Sequence, residues 1–263
     1  MRVKSNRFRI FYLSLFFIIL YVPVLSVVLY SFNKSSSTAY WAGFTLDWYR
    51  ELFNDRIIFD AFKVSIQVAL LTSVLSAIIG TASAIVSIYV TKRTEKTTNG
   101  LMFLPLIVPE VALGVSLLIF FSTLKLPFGI LTLVISHSLF CVPYVYIMVQ
   151  LRLKEINISI IEAAKDLGAT KWQIIKSIIL PLVMPSTLTA SLLALAMSLD
   201  DVVISTYMAG PTTTTLPVHI FSMMRVGVTP KVNALCTLFL AGTFLLIGLN
   251  QIIGTKGGNL IEK

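Results

Sequence analysis

The chain has 263 residues, 56% of them hydrophobic and 13% charged, with a mean hydropathy of +0.88 and a formal net charge of +9. That composition excludes a soluble globular domain, because too few polar groups are available to cover a folded surface in water. It also argues against a disulfide framework or a zinc site, since the two cysteines, Cys141 and Cys236, have neither C-x-x-C nor histidine spacing.

Crossing about 30 Å of hydrocarbon as a helix takes about 20 apolar residues. Six stretches qualify, at residues 10–29, 64–90, 101–121, 130–151, 186–208 and 232–253. The expected fold is an all-α membrane protein, one transmembrane domain over residues 1–263 with six transmembrane helices. Arg2, Lys4, Arg7 and Arg9 precede the first stretch as they would in a secretory signal. The apolar run is too long for one and no small-x-small site follows, so an uncleaved first helix is expected. With the amino terminus in the cytoplasm, fourteen of the 21 basic residues fall on the cytoplasmic side and seven on the other. That bias fits the positive-inside rule, puts both termini and the segments 91–99 and 152–184 in the cytoplasm, and accounts for the positive charge without a nucleic-acid partner.

The outer segment 33–60 sets Trp41, Trp48 and Tyr49 among Asp47, Glu51, Asp55 and Asp60. Two readings fit: aromatic anchors at the membrane boundary, or faces on which a substrate cation rests. Small residues at every fourth position mark close helix contacts, and two such rows occur, Ser76, Gly80 and Ala84 in the second span and Ser186, Ala190, Ala194 and Ser198 in the fifth. Apart from Lys63 at a span end, the spans hold charge only at Glu110, Asp200 and Asp201. An ionised carboxylate in the membrane has to face protein, water or a cation. Glu110 follows Pro109, where a bend is expected; it fits either a pathway lining or a protonated acid bonded to a neighbour. On a continuous helix Asp201 shares its face with Ala194, Ser198 and Ser205, whereas Asp200 shares its face with Leu193, Ala196 and Ile204. Asp201 is therefore expected on the polar pathway and Asp200 against a packed helix or a backbone group. His137 and His219 each stand alone, without metal-ligand spacing.

Between the fourth and fifth spans, Ser159 and Glu162 have the spacing of a capping box and predict a helix start. Gly168 suits a left-handed helix end, Thr170 and Gln173 repeat the capping pattern, and Pro181 is expected to stop the second helix. Two short helices at a fixed elbow suit docking against a partner in the water.

The order Glu162-Ala163-Ala164, three residues, Gly168, nine residues, Ile178-x-Leu180-Pro181 resembles the EAA motif of membrane subunits of ATP-binding-cassette (ABC) importers. Ser198-Leu-Asp200-Asp201-Val-Val, Ala209-Gly210-Pro211, Leu216-Pro217 and Val226-Gly-Val-x-Pro230-x-Val-Asn233-Ala234 are similar to the PotC-type spermidine/putrescine permeases. So are Tyr30-Ser31-Phe32-Asn33, Trp41-x-Gly43-Phe44-Thr45 and Trp48-Tyr49, which extends the resemblance over nearly the whole chain. It implies a type I ABC importer permease of the bacterial cell (inner) membrane, with Glu162, Ala163, Ala164 and Gly168 coupling to the ATPase. It further implies two ATPase subunits, a second related permease subunit and an extracytoplasmic polyamine-binding protein, in a complex that alternates between inward- and outward-facing states.

Glu110, Ser198, Asp200, Asp201 and Trp41 are the candidate substrate-pathway residues, and the acidic pair favours a cationic cargo over an anionic one. No G-x-x-x-x-G-K-[ST] occurs, so the chain is expected to be no enzyme and to need no cofactor of its own, ATP being bound by the partner subunits. The alternatives are an importer permease for another small solute, or a self-contained transporter in which the three acids relay protons or bind sodium. The latter leaves the EAA segment unexplained and shows no inverted repeat. A membrane-bound enzyme would need a paired nucleophile and base or a metal-ligand cluster, which the sequence does not offer.

Overall fold

In hydrocarbon each backbone N–H has to be paired within its own segment, so a chain this apolar is built of helices. The computed structural model describes residues 6–258, all helices and connections apart from one isolated bridge between Asn33 and Phe44. Arg2, Lys4 and Lys263, and the side chains of Arg7 and Lys256, all invoked in placing the termini, lie outside the described residues.

The helices in chain order are α1 (Asn6–Tyr30), α2 (Asp47–Asn54), α3 (Arg56–Ser87), α4 (Lys92–Ile107), α5 (Glu110–Thr123), α6 (Ile130–Glu155), α7 (Ile158–Asp166), α8 (Lys171–Ile174), α9 (Leu180–Asp200), α10 (Val203–Met208), α11 (Leu216–Val226) and α12 (Pro230–Gly258). A π-helical turn, Ile175–Ile179, joins α8 to α9 without a break. Two compact units result, Met1–Phe59 with Ile220–Gly242 and Asp60–His219 with Thr243–Lys263.

Among the described residues four helical stretches are long and apolar enough to cross a membrane: Arg9–Tyr30, Arg56–Ser87, Ile130–Glu155 and Lys171–Asp200. Six were expected. The span at 101–121 is broken, with α4 and α5 meeting at 103°. Pro109 causes this: it has no N–H to donate, and it pushes Val108 into an extended conformation with ψ 129°. Counting that pair as one crossing gives five. The span at 232–253 falls on α12, of which Pro230–Leu245 is the described apolar part; most side chains beyond it lie outside the description. The span at 186–208 starts earlier than expected, at Lys171, and breaks after Asp200.

The core of the second unit forms around α6. Leu133, Cys141, Val145, Tyr146 and Val149 are fully buried there, and the two rows of small residues let neighbouring helices approach it. Ala190 and Ala194 of α9 and Ala84 of α3 share one apolar cluster with Cys141, Val145 and Tyr146. Hydroxyls tie α3 to α9: Ser73 Oγ donates to the Ser191 carbonyl at 2.6 Å, and the Thr81 and Thr187 hydroxyls lie 3.1 Å apart. In α5, Gly114 makes room for the Tyr207 ring of α10, and beyond both helices the Phe128 carbonyl abuts Gly210.

At Gly80 an added Cβ would meet Val145 Cβ at 2.7 Å and the Tyr146 backbone nitrogen at 3.0 Å. Gly80→Ala should destabilise the protein by about 1–3 kcal/mol through overpacking. Gly242→Ala, with nothing within 4 Å of its Cβ, should be neutral or slightly stabilising. Thermal unfolding of the two variants in detergent is the check, and equal midpoints would show that the α3–α6 approach is slack.

Candidate functional site

The elbow between α7 and α8 is set by local hydrogen bonding. Helix α7 begins earlier than Ser159: the Asn157 side chain caps it by accepting from the Ser159 N–H at 3.0 Å. Ser159 is thus inside the first turn, and the expected box with Glu162 does not form. At the other end Gly168 has φ +81°, with the Ala169 N–H on the Ala164 carbonyl at 3.0 Å and the Gly168 N–H on the Lys165 carbonyl at 2.9 Å. That pair of bonds is a Schellman closure, which needs a left-handed residue. Thr170 and Gln173 make the reciprocal box, the Thr170 N–H donating to Gln173 Oε1 at 2.7 Å and the Gln173 N–H to Thr170 Oγ1 at 3.3 Å. Pro181 does not stop the helix. It follows the π-helical turn and stands in the first turn of α9, and the wider turn eases the clash of its ring with the preceding carbonyls.

The elbow has an anchored side and an open side. Ala164 and Ile174 are buried in the core cluster with Val149 and Ile179. Glu162, Ala163 and Gly168 are exposed, and Leu167 and Trp172 are 89% and 70% exposed. Between them a cleft of about 370 Å³ is lined by Leu167, Gly168, Gln173, Ile174, Ser177 and Ile178. Lys171 Nζ stands 5.9 Å over the Tyr89 ring, which steadies the start of α8. An apolar knob beside a cleft on a rigid elbow can seat a partner. A Cβ at Gly168 would have free space but the wrong φ, so Gly168→Val strains the backbone and not the packing. It should leave the protein folded and membrane-inserted while lowering transport at least tenfold; normal transport in vesicles would remove the elbow from the coupling.

The membrane acids differ in surroundings. Helix α9 ends at Asp200, and Asp201 is extended with φ −66° and ψ 126°. The helix faces read for a continuous span therefore do not apply. The Asp201 carboxylate turns onto the next helix, accepting from the Ser205 N–H at 2.7 Å and the Ile204 N–H at 3.4 Å, which caps α10. Its side chain is 7% exposed and lies 3.3 Å from His137 Nε2. His137 Nε2 also meets Ser205 Oγ at 3.1 Å, and His137 Nδ1 meets Ser198 Oγ at 2.7 Å. Because a carboxylate only accepts, Nε2 carries the proton, and in a neutral ring Nδ1 accepts from the Ser198 hydroxyl.

Asp200, by contrast, is exposed. So is Glu110, the first residue of α5, where the helix amino terminus favours negative charge. Glu110 lies one turn before Gly114, and Val203 one turn before its partner Tyr207. Glu110 begins α5, and Asp200 stands at the break before α10.

Sequence reasoning missed His137. The signal was a polar, titratable side chain in an apolar span; what hid it was the 61-residue separation from Ser198. Ser198, His137 and Asp201 have the residue types of a hydrolase triad, but His137 is fully buried and Ser198 only 4% exposed, so no reactant reaches them.

In residues 33–60 most of the expected cation platform is occupied by the segment's own folding. Asn33, fully buried, donates through Nδ2 to the carbonyls of Ser37 and Tyr40 and accepts from the Ala42 N–H. Trp48 donates its ring N–H to the Asn33 carbonyl at 2.7 Å, and Tyr49 packs on Phe32 with its hydroxyl 2.7 Å from Ser31 Oγ. Lys231 pairs with Glu51 at 2.7 Å and Asp55 at 3.0 Å. Burial pushes the Asp55 carboxyl up, but Lys231 and the N–H groups of Ile58 and Ile57 outweigh that and hold it below the ordinary value. Trp41 keeps an open face: it is 51% exposed and touches the Tyr30 ring edge-on at 6.4 Å. No group of three metal-binding side chains occurs among the described residues.

The sequence model of the family described as "Binding-protein-dependent transport system inner membrane component" matches residues 76–255. The spermidine/putrescine transport system permease protein PotC of Escherichia coli (strain K12) is 36% identical over 241 residues, covering 90% of this chain and 91% of that protein. The putrescine transport system permease protein PotI of the same strain is 40% identical over 247 residues, covering 90% and 87%. A solved bacterial ABC transporter involved in the import of the acidic polysaccharide alginate has a chain of the same fold, with TM-score 0.75, 16% identity and 97% of each chain covered. The MetNI methionine ABC transporter has another, with TM-score 0.62, 19% identity, and 77% of this chain and 99% of that one covered.

Proposed function

The chain belongs to the family of binding-protein-dependent transport system inner membrane components, and from that membership we propose that it is the polyamine-conducting permease subunit of an ABC importer. The observation that carries the choice of cargo is the chemistry of the acids. Glu110 and Asp200 are exposed carboxylates that pair with no basic side chain among the described residues, whereas Asp201 already has His137 beside it. A pathway edged by unbalanced carboxylates attracts cations and repels anions. The 36–40% identity to PotC and PotI supports the same cargo, spermidine or putrescine.

In this reading the open side of the elbow, with Glu162, Ala163 and Gly168, receives one of two ATPase subunits, and Ala164 anchors it from below. ATP is held there and not by this chain. A second, related permease subunit completes the pathway, and an extracytoplasmic binding protein delivers the polyamine near Trp41. Asp200 and Glu110 meet the passing cation; Asp201 and Ser198 shape the pathway from behind. The whole chain acts as one type I permease domain with six crossings in the bacterial inner membrane, both termini and the elbow facing the cytoplasm. Single cysteines at Thr94 and Thr170 should resist an impermeant thiol reagent applied to intact cells. Reaction of either one would overturn the orientation.

The acids are separated by neutralising them one at a time. Asp200→Asn keeps the shape and removes the charge, so ATP-driven spermidine uptake in proteoliposomes should fall at least tenfold per assembled complex. Asp201→Asn weakens the cap of α10 and its hydrogen bond with His137, and should first lower the yield of assembled complex, because a hydrogen bond to a charged group is worth about 1.5–3 kcal/mol. Undiminished uptake by Asp200→Asn contradicts the pathway assignment, and uptake driven by an ion gradient without ATP contradicts the importer reading.

A further inference from the structure

The imidazole of His137 is fully buried, and its two nitrogens reach opposite sides of Asp200 in the sequence. Nδ1 holds Ser198, in the last turn of α9, at 2.7 Å; Nε2 holds Asp201 at 3.3 Å and Ser205, in α10, at 3.1 Å. The ring itself is immobilised on α6, beside fully buried Leu133 and Cys141 and against the Phe140 ring at 5.5 Å between centroids. We infer that His137 is a positioning residue: by holding Asp201 on α6, with Ser198 as a lesser tie, it fixes the break between α9 and α10 and turns the Asp200 carboxylate away from α6 toward the pathway. The inference rests on the proposed role of Asp200.

The reasoning is geometric. An imidazole is rigid, so one ring fixes the separation of both pinned points. With Ser198 and Asp201 drawn onto α6, the residue between them and nearest the break has its side chain directed elsewhere, and Asp200 is exposed while Ser198 and Asp201 are covered. Packing alone does not call for this arrangement. An apolar residue of similar size would fill the space, but it would leave the Asp201 carboxylate without a donor from α6. Freed of that donor, Asp201 would seek water and displace Asp200 from its exposed position.

The test uses the assembled importer with Cys141→Ala and Cys236→Ala as background. An amide at position 137 mimics one ring nitrogen at a time: His137→Gln reaches Asp201 and Ser205, and His137→Asn reaches Ser198 alone. With a reporter thiol from Asp200→Cys, His137→Asn should slow labelling by an aqueous maleimide at least tenfold, whereas His137→Gln should stay within threefold of the parent. With aspartate restored, His137→Asn should raise the KM for uptake of binding-protein-delivered spermidine at least fivefold per assembled complex, and His137→Gln should rescue it. Unchanged labelling and KM in His137→Asn, or a loss confined to the amount of assembled complex, would overturn the inference. Should neither variant assemble, Asp201→Ala, which removes the carboxylate that Nε2 holds, is read in the same way as His137→Asn. If labelling responds as expected but the parent takes up no polyamine, the cargo reading fails and the positioning role stands.

Discussion

A carboxylate inside a membrane protein has to find donors, and the way Asp201 finds them governs the layout around it. Two backbone N–H groups of α10 and the ring of His137 converge on it. To be reached by them the chain leaves the helix at Asp201, and α9 ends where it otherwise would continue. The start of α10 then follows, as does the seat of Tyr207 against Gly114 of α5. The break at Val108 and Pro109 mirrors this one by a different device, a missing donor in place of a competing acceptor. Each break has an exposed acid beside it, Glu110 at one and Asp200 at the other.

The same helix that ends at Asp200 begins at the elbow. Lys171–Asp200 is a continuous helical stretch of 30 residues, about 45 Å at 1.5 Å per residue, with the π-helical turn near its start. A push received by Leu167, Trp172 and their neighbours has a rigid lever to Asp200, the acid we propose for the pathway. The core cluster that anchors Ala164 and Ile174 also holds Ala190 and Ala194 against α6, so the elbow and the lever are packed into one body. Coupling in such a design needs no wire of special residues. It needs an elbow that does not bend, and Gly168 with the Thr170–Gln173 box supplies that.

What the sequence made legible was local or periodic. Gly168 and the Thr170–Gln173 box depend on neighbours within a few residues, and both formed. The small-residue rows are a helical period, and both face α6. Glu110 next to Pro109 marked a bend, although the size of the turn, 103°, was not readable. The misreadings arose where a local rule met a competitor. Asn157 outcompeted Ser159 for the cap because it stands just outside the helix, and Pro181 was absorbed by a wider turn. Asp200 and Asp201 were ranked on the assumption of an unbroken helix, and that assumption failed because a histidine on another helix, 61 residues before Ser198, draws the chain out of it. Contacts of that kind have no signature in a single sequence.

The account stands or falls on which acid faces the cargo. A cryo-electron-microscopy map of the assembled importer, trapped with ATP hydrolysis blocked and spermidine-loaded binding protein bound, would show the side chains directly. The account predicts Asp201 still on His137 and Ser205, with the Asp200 and Glu110 carboxylates open to the central cavity. An Asp201 carboxylate swung into that cavity and away from His137, with Asp200 packed against a neighbouring helix, would contradict it.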